Sequence, residues 1–143
     1  MNYFKSAEQL LGSIPALNAA IENINGRASH IAQASTKPKY SNVKSIEQYL
    51  ECGLEEIELK RCLQRTKNLI SDIERVLSQL DDEEQEILRL WYVDKKPKEQ
   101  ILAAMHIESL STLYSLRNKA VADFALRYYC LLYTSDAADE EDS

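Results

Sequence analysis

Two strings of apolar residues at alternating four- and three-residue steps constrain this chain more than any other feature. The first is Leu10, Ile14, Leu17, Ile21, Ile24, Ala28 and Ile31; the second is Leu59, Leu63, Thr66, Ile70, Ile73, Leu77 and Leu80. Such steps keep apolar side chains on one stripe of an α-helix, whereas a strand alternates every second residue. A stripe of that length needs another helix against it. The two can close on each other as an antiparallel hairpin, or each can meet its copy in a homodimer, and the spacing serves both. With only three Gly and three Pro in 143 residues, a loop-rich fold has little material to work with, and an all-α fold is expected.

Local signals set the boundaries. Ser13 as N-cap, with Pro15 just inside, predicts a short first helix and then a longer one from about 14 to 33. Gly26 weakens that helix by about 1 kcal/mol against Ala. Residues 35–44, with Pro38 and no periodicity, read as a linker. Ser45 looks like the N-cap of a second long helix, with Gln48 at the capping-box position. Together, residues 1–80 form an N-terminal helical hairpin or coiled-coil region.

The next segment is built differently. Asp81, Asp82, Glu83 and Glu84 place acids where the positive end of a helix dipole favours them, and Ile87, Leu88, Leu90, Trp91 and Tyr92 form a broad apolar face. Asp94, Lys95 and Lys96 make a polar turn, and Pro97 suits the first position of a nine-residue helix ending at Met105. After a turn at His106–Glu108 comes a longer helix, from about Ser109 to Ala125. Two helices joined by a tight turn are the helix-turn-helix plan, whose second helix lies in the major groove of DNA.

That last helix can be laid on a wheel. With Leu113 at 0° and about 100° per residue, Leu116, Ala120 and Phe124 fall within about 60° and form the buried stripe. Ser111, Ser115, Asn118 and Ala122 lie opposite, flanked by Thr112, Tyr114 and Lys119. Lys and Glu would solvate such a face with better helix propensity. Small residues instead let a helix sit deep in a groove, where Ser and Thr bond bases or phosphates and Asn pairs with adenine. Ser109 or Ser111 is expected to cap the helix and turn free N–H groups toward phosphate. Arg117, about 40° from the stripe centre, sits at the core boundary, able to reach a phosphate or to pair with an acid such as Glu86.

Composition bounds the chemistry. Cys52, Cys62 and Cys130 are odd in number and lack CxxC spacing, and His30 and His106 are the only histidines. A disulfide framework, a zinc site and a His-dependent triad are therefore not expected. There is no GxGxxG, P-loop or GxSxG motif. The expectation is a cytoplasmic protein that is not an enzyme, with no cofactor or metal, no signal peptide and no membrane span. The formal net charge is −6, but Asp136, Asp139, Glu140, Glu141 and Asp142 supply five of those charges. From Asp94 to Tyr129, Lys95, Lys96, Lys98, Arg117, Lys119 and Arg127 outnumber Asp94, Glu99, Glu108 and Asp123. A weak positive balance permits nucleic-acid contact without demanding it.

The stretch LDDEEQEILRLWYVDKKPKEQILAAMHIESLSTLYSLRNKAV resembles region 4 of the sigma-seventy factors, and more closely the phage-encoded ArpU and RinA transcriptional regulators. The resemblance rests on Glu86, Leu88, Leu90 and Tyr92 at alternate positions, on the Ile101–Met105 helix, and on Ser111-Thr112-Leu113-Tyr114 followed by Arg117-Asn118-Lys119-Ala120. It implies a helix-turn-helix DNA-binding domain over 81–129 and a regulator of phage or prophage late genes in a bacterial host. His106 stands where such turns usually carry Gly, so either a non-Gly residue takes a positive φ there or the turn differs. Ser111, Thr112, Tyr114, Ser115, Asn118 and Lys119 are the expected base and backbone contacts. Arg117 is included among the DNA-binding residues, with Lys95, Lys96, Lys98 and Arg127 as phosphate neutralisers.

Two alternatives stay open: a module that docks on RNA polymerase or another phage protein without reading DNA, and a DNA-packaging adaptor. The end of the chain, CLLYTSDAADE, resembles a translated sequencing-library adapter. This implies a native terminus near Tyr129 and a disordered appendage at 130–143, which an authentic acidic tail would equally be.

Overall fold

The computed structural model describes residues 2–34 and 43–141. Their fold is all-α, with no strand among them: α1 (Tyr3–Gly12), α2 (Ile14–Ala34), α3 (Val43–Ser78), α4 (Asp82–Leu88), a π-helical turn (Arg89–Val93), α5 (Lys98–Met105) and α6 (Leu110–Glu141). The chain divides into two compact units, Met1–Pro15 with Ser71–Ser143, and Ala16–Ile70. This division differs from the 80/81 boundary expected from sequence. The reason lies in the core, because Ala7 and Leu11 of α1, Ile14, and Ile73, Val76, Leu77 and Leu80 are all buried in the first unit. Most of the expected linker, residues 35–42, lies outside the described residues.

In the first unit, α6 packs on α1, α4 and α5. Its buried stripe is Leu113, Ala120, Val121, Phe124, Ala125 and Tyr128. Leu116 is only half-buried. The stripe is wider than the wheel suggested because α1 and α4 both cover it. The π-helical turn brings residues five apart onto one face, and Ile87 and Tyr92, five apart, are both buried.

Several caps differ from expectation. Asn2 accepts from the Lys5 N–H at 3.1 Å and starts α1. Ser13 does not cap α2; its hydroxyl donates to the Leu10 carbonyl at 2.6 Å and closes α1. This break shifts the phase of the stripe, so Leu11 is buried and Leu10 half-buried. Helix α3 begins at Val43, which puts Ser45 inside it rather than at its cap. Pro97 precedes α5 as its N-cap, and its carbonyl accepts from Gln100 and Ile101 at 3.0 and 3.1 Å. Helix α6 runs from Leu110 to Glu141, past the end near Ala125 expected for the recognition helix. Nothing between Leu110 and Glu141 is Gly or Pro, so no residue there breaks the backbone ladder.

The second unit holds α2 and most of α3. Arg27 of α2 meets Glu55 of α3 at 2.7 Å, so the two helices lie side by side within one chain. None of its described residues is buried: Leu17, Ile21 and Ile24 of α2 and Leu59, Leu63 and Ile70 of α3 are all half-buried. No described helix is long and apolar enough to cross a membrane.

Candidate nucleic-acid interface

The junction between α5 and α6 is tied by backbone hydrogen bonds. His106 adopts φ 57° and ψ 40°, so of the two outcomes open to it the left-handed one holds. The Ile107 N–H donates to the Leu102 carbonyl at 3.0 Å and the His106 N–H to the Ala103 carbonyl at 3.4 Å. This is the Schellman pattern, normally built on Gly. Histidine pays a modest steric cost that glycine would not. Three residues later the chain enters α6, where the Ser109 hydroxyl accepts from the Thr112 N–H at 3.1 Å and donates to the Thr112 hydroxyl at 2.9 Å. Ser109 is therefore the cap, and Ser111 is free to be a surface residue.

Ser111, Thr112, Ser115, Asn118, Lys119 and Ala122 are all exposed. They occupy the side of α6 opposite Leu113, Ala120 and Phe124, which are fully buried. Helix α6 is thus rigidly backed and presents a row of hydroxyls, one amide and one ammonium. Tyr114 is half-buried at the edge of this row, its ring edge-on to Trp91 at 5.7 Å, with the Lys98 Nζ 4.9 Å above its centroid. Lys98 therefore joins the row from α5. Lys95, in a left-handed conformation at φ 52°, and Lys96 are exposed in the loop before α5. Arg127 is exposed too, but it lies about 140° around α6 from the centre of the row, and the structure does not group it with the others.

Arg117 is the main correction. Its side chain is only 18% exposed. The guanidinium lies over the Trp91 ring at 4.7 Å, and its Nη1 is 3.3 Å from both the Glu8 carboxylate and the Tyr92 hydroxyl. The same Glu8 oxygen accepts from the Tyr92 hydroxyl at 2.7 Å. Burial, then the Glu8 bond, push the Tyr92 phenol up to about 12. Arg117 is occupied in clamping α6 to α1 and to the π-helical turn, with Glu8 rather than Glu86 as its acid. Its remaining reach is toward Asn118, whose Oδ1 accepts from Arg117 Nε at 2.8 Å. That bond fixes the amide and leaves its NH2 pointing elsewhere. Nothing in the sequence pairs Arg117 with Glu8, which is 109 residues away.

A second carboxylate was also missed. Glu84 of α4 is 4% exposed, and its Oε2 has no hydrogen-bond partner. Burial raises it from its ordinary 4.5 to about 7, helped by the carboxylates of Asp123 and Asp81. An acid in the first turn of a helix compensates the dipole; at Glu84 burial against α6 outweighs that gain. No cluster of His, Cys, Asp and Glu among the described residues is arranged to hold a metal ion.

Residues 41–125 match the family described as protein of unknown function (DUF1492). The chain belongs to that family. No curated protein and no solved structure matches the chain. The family match takes in the exposed row of α6, Lys95, Lys96 and Lys98, and it leaves out Glu8 and Arg127. The clamp on Arg117 therefore joins a residue inside the matched region to one outside it.

Proposed function

We propose that this chain is a sequence-specific, double-stranded-DNA-binding transcription regulator of the ArpU and RinA kind, acting on phage or prophage late genes. Helices α5 and α6 serve as its helix-turn-helix. One observation carries the reading: from Ser111 to Lys119 the exposed side of α6 is made of Ser111, Thr112, Ser115, Asn118 and Lys119, while the other side of the same helix is sealed into the core. A slim polar flank on a fixed helix suits a major groove, where each side chain must approach base edges closely. Lys98, Lys96 and Lys95 precede it as phosphate contacts; Arg117 belongs to the scaffold.

The test is fluorescence anisotropy with duplexes taken from beside the gene in its own genome, over a series of salt concentrations. Each of the three lysines changed to Ala should flatten the slope of log affinity against log salt by about 0.9. Asn118→Ala with Lys119→Ala should lower affinity for the preferred duplex more than for unrelated DNA. Full affinity in that double variant would remove α6 as the reader.

A second reading is favoured by the inward turn of Arg117, which leaves Lys119 as the sole cation among the described residues of the α6 row. In it, the same face docks on RNA polymerase, as sigma region 4 does. Pull-down of purified polymerase that is lost in Ser115→Arg, without any duplex binding, would select it.

A further inference from the structure

Helix α3 has two faces within the second unit. One carries Leu59, Leu63, Thr66 and Ile70, all half-buried. The other, about 180° around the helix, carries Leu50, Leu54 and Ile57, which are 59%, 64% and 50% exposed. Extended at the same three- and four-residue steps, this outer face reads Glu47, Leu50, Leu54, Ile57, Arg61, and all five are exposed. Beyond Arg61 the row continues as Gln64 and Asn68, whose side chains bond each other at 2.8 Å, so the apolar stretch ends there.

We infer that this outer face is the contact surface between two copies of the chain, packed antiparallel with the two-fold axis at Leu54. The row itself selects that arrangement. Glu47 lies seven residues before Leu54 and Arg61 seven residues after it. An antiparallel pair centred on Leu54 therefore brings Leu54 against its own copy, packs Leu50 near Ile57 of the other chain, and pairs Glu47 with Arg61 twice. A parallel, in-register pair would instead oppose Glu47 to Glu47 and Arg61 to Arg61, which is repulsive at both ends. The contact is isologous, so it closes at two copies. The need for it is visible in the same unit: none of the described residues of Ala16–Ile70 is buried, and a second pair of helices supplies the missing cover.

Sedimentation velocity on the full chain over a wide concentration range tests this. The chain should pass from monomer to dimer, and Leu54→Glu should raise the dissociation constant by about tenfold or more, since it opposes two carboxylates on the axis. Glu47→Arg alone and Arg61→Glu alone should each weaken the dimer, and the two together should restore it. Trp91, the only tryptophan of the chain, lies in the other unit, so its fluorescence should be unchanged in all four variants, which separates a weakened dimer from a chain that fails to fold. A chain that stays monomeric throughout overturns the inference. So does a dimer indifferent to Leu54→Glu, or a double charge swap no better than either single one.

Discussion

The exposed faces of α6 and α3 are opposites. On α6 the open side from Ser111 to Lys119 is small and polar: Ser111, Thr112, Ser115, Asn118 and Lys119. On α3 it is large and apolar, Leu50, Leu54 and Ile57, bracketed by one acid and one base. Their backing differs as well, since behind α6 stands the buried core of its unit, whereas behind residues 47–61 of α3 stand only half-buried residues. A hydrated, charged duplex is best met by a preset surface that loses little entropy on contact. An apolar stripe on a thinly supported helix gains its stability from what covers it. The two faces thus suit different partners, and each can be broken separately.

The largest effect should come from the backing of α6. Phe124 is fully buried against Tyr128, the rings stacked at 5.6 Å. Phe124→Ala should cost about 3–5 kcal/mol by lost transfer energy and an unfilled cavity. Chemical denaturation followed by tyrosine and tryptophan fluorescence reads this directly. A loss under 1 kcal/mol would mean that α6 is not anchored as described, and the contrast with α3 would fall.

Glu84 gives the next effect, and its sign depends on pH. The folded chain holds the Glu84 proton up to about pH 7, whereas the unfolded chain releases it near 4.5. The folded state therefore binds more protons in that window, and the stabilisation present below pH 4.5 is lost as pH rises toward 7. Glu84→Gln should raise stability at pH 8 by as much as about 3 kcal/mol and leave it nearly unchanged at pH 4. Denaturation midpoints at the two pH values check it. Equal shifts at both would show that Glu84 is not the group held protonated. Asp123 and Asp81, the acids that face it, are the next to change.

The helices and the open side of α6 were legible from the sequence because both depend on local spacing. Ser115 and Asn118 fell opposite Leu113 on a simple wheel and stand exposed in the structure. The sequence left open whether His106 turns left-handed or the turn differs, but that it fills a turn position usually held by glycine was legible for a similar reason. Arg117 was not, since its fate depends on Glu8 and Tyr92, which only tertiary packing brings to it. The domain boundary was missed on the same grounds: Ile73 and Leu77 continue the seam of Leu59 and Leu63 without a break, yet they are buried in the other unit. The outer stripe of α3 was in plain view, but the longer seam on the opposite side drew the period count.

Arg117 offers a middling effect that separates scaffold from reader. Arg117→Met keeps the stem that covers Trp91 and removes the bonds to Glu8 and Tyr92. The expected loss is about 2 kcal/mol, because the Glu8 carboxylate loses a charged partner in a half-buried place. Glu8→Gln should produce a similar loss, and the double variant should cost less than the sum. Losses that add in full would mean that the clamp does not couple α1 to α6.

The two smallest effects bear most directly on the exposed row. Ser109→Ala removes the acceptor of the Thr112 N–H and should cost about 1 kcal/mol as a lost N-cap. Ser115→Ala, two turns into the same helix, has no such bond to lose and improves helix propensity, so its stability should stay within about 0.5 kcal/mol of the parent. Their consequences for binding should run the other way. Ser109 acts through the helix end, and its loss is expected to weaken every duplex alike. Ser115 faces outward, and its loss should weaken the preferred duplex alone. Competition anisotropy between preferred and scrambled duplexes distinguishes them: an unchanged preference in Ser115→Ala would leave its hydroxyl as simple surface, and the contrast between the two helices would then rest on α3.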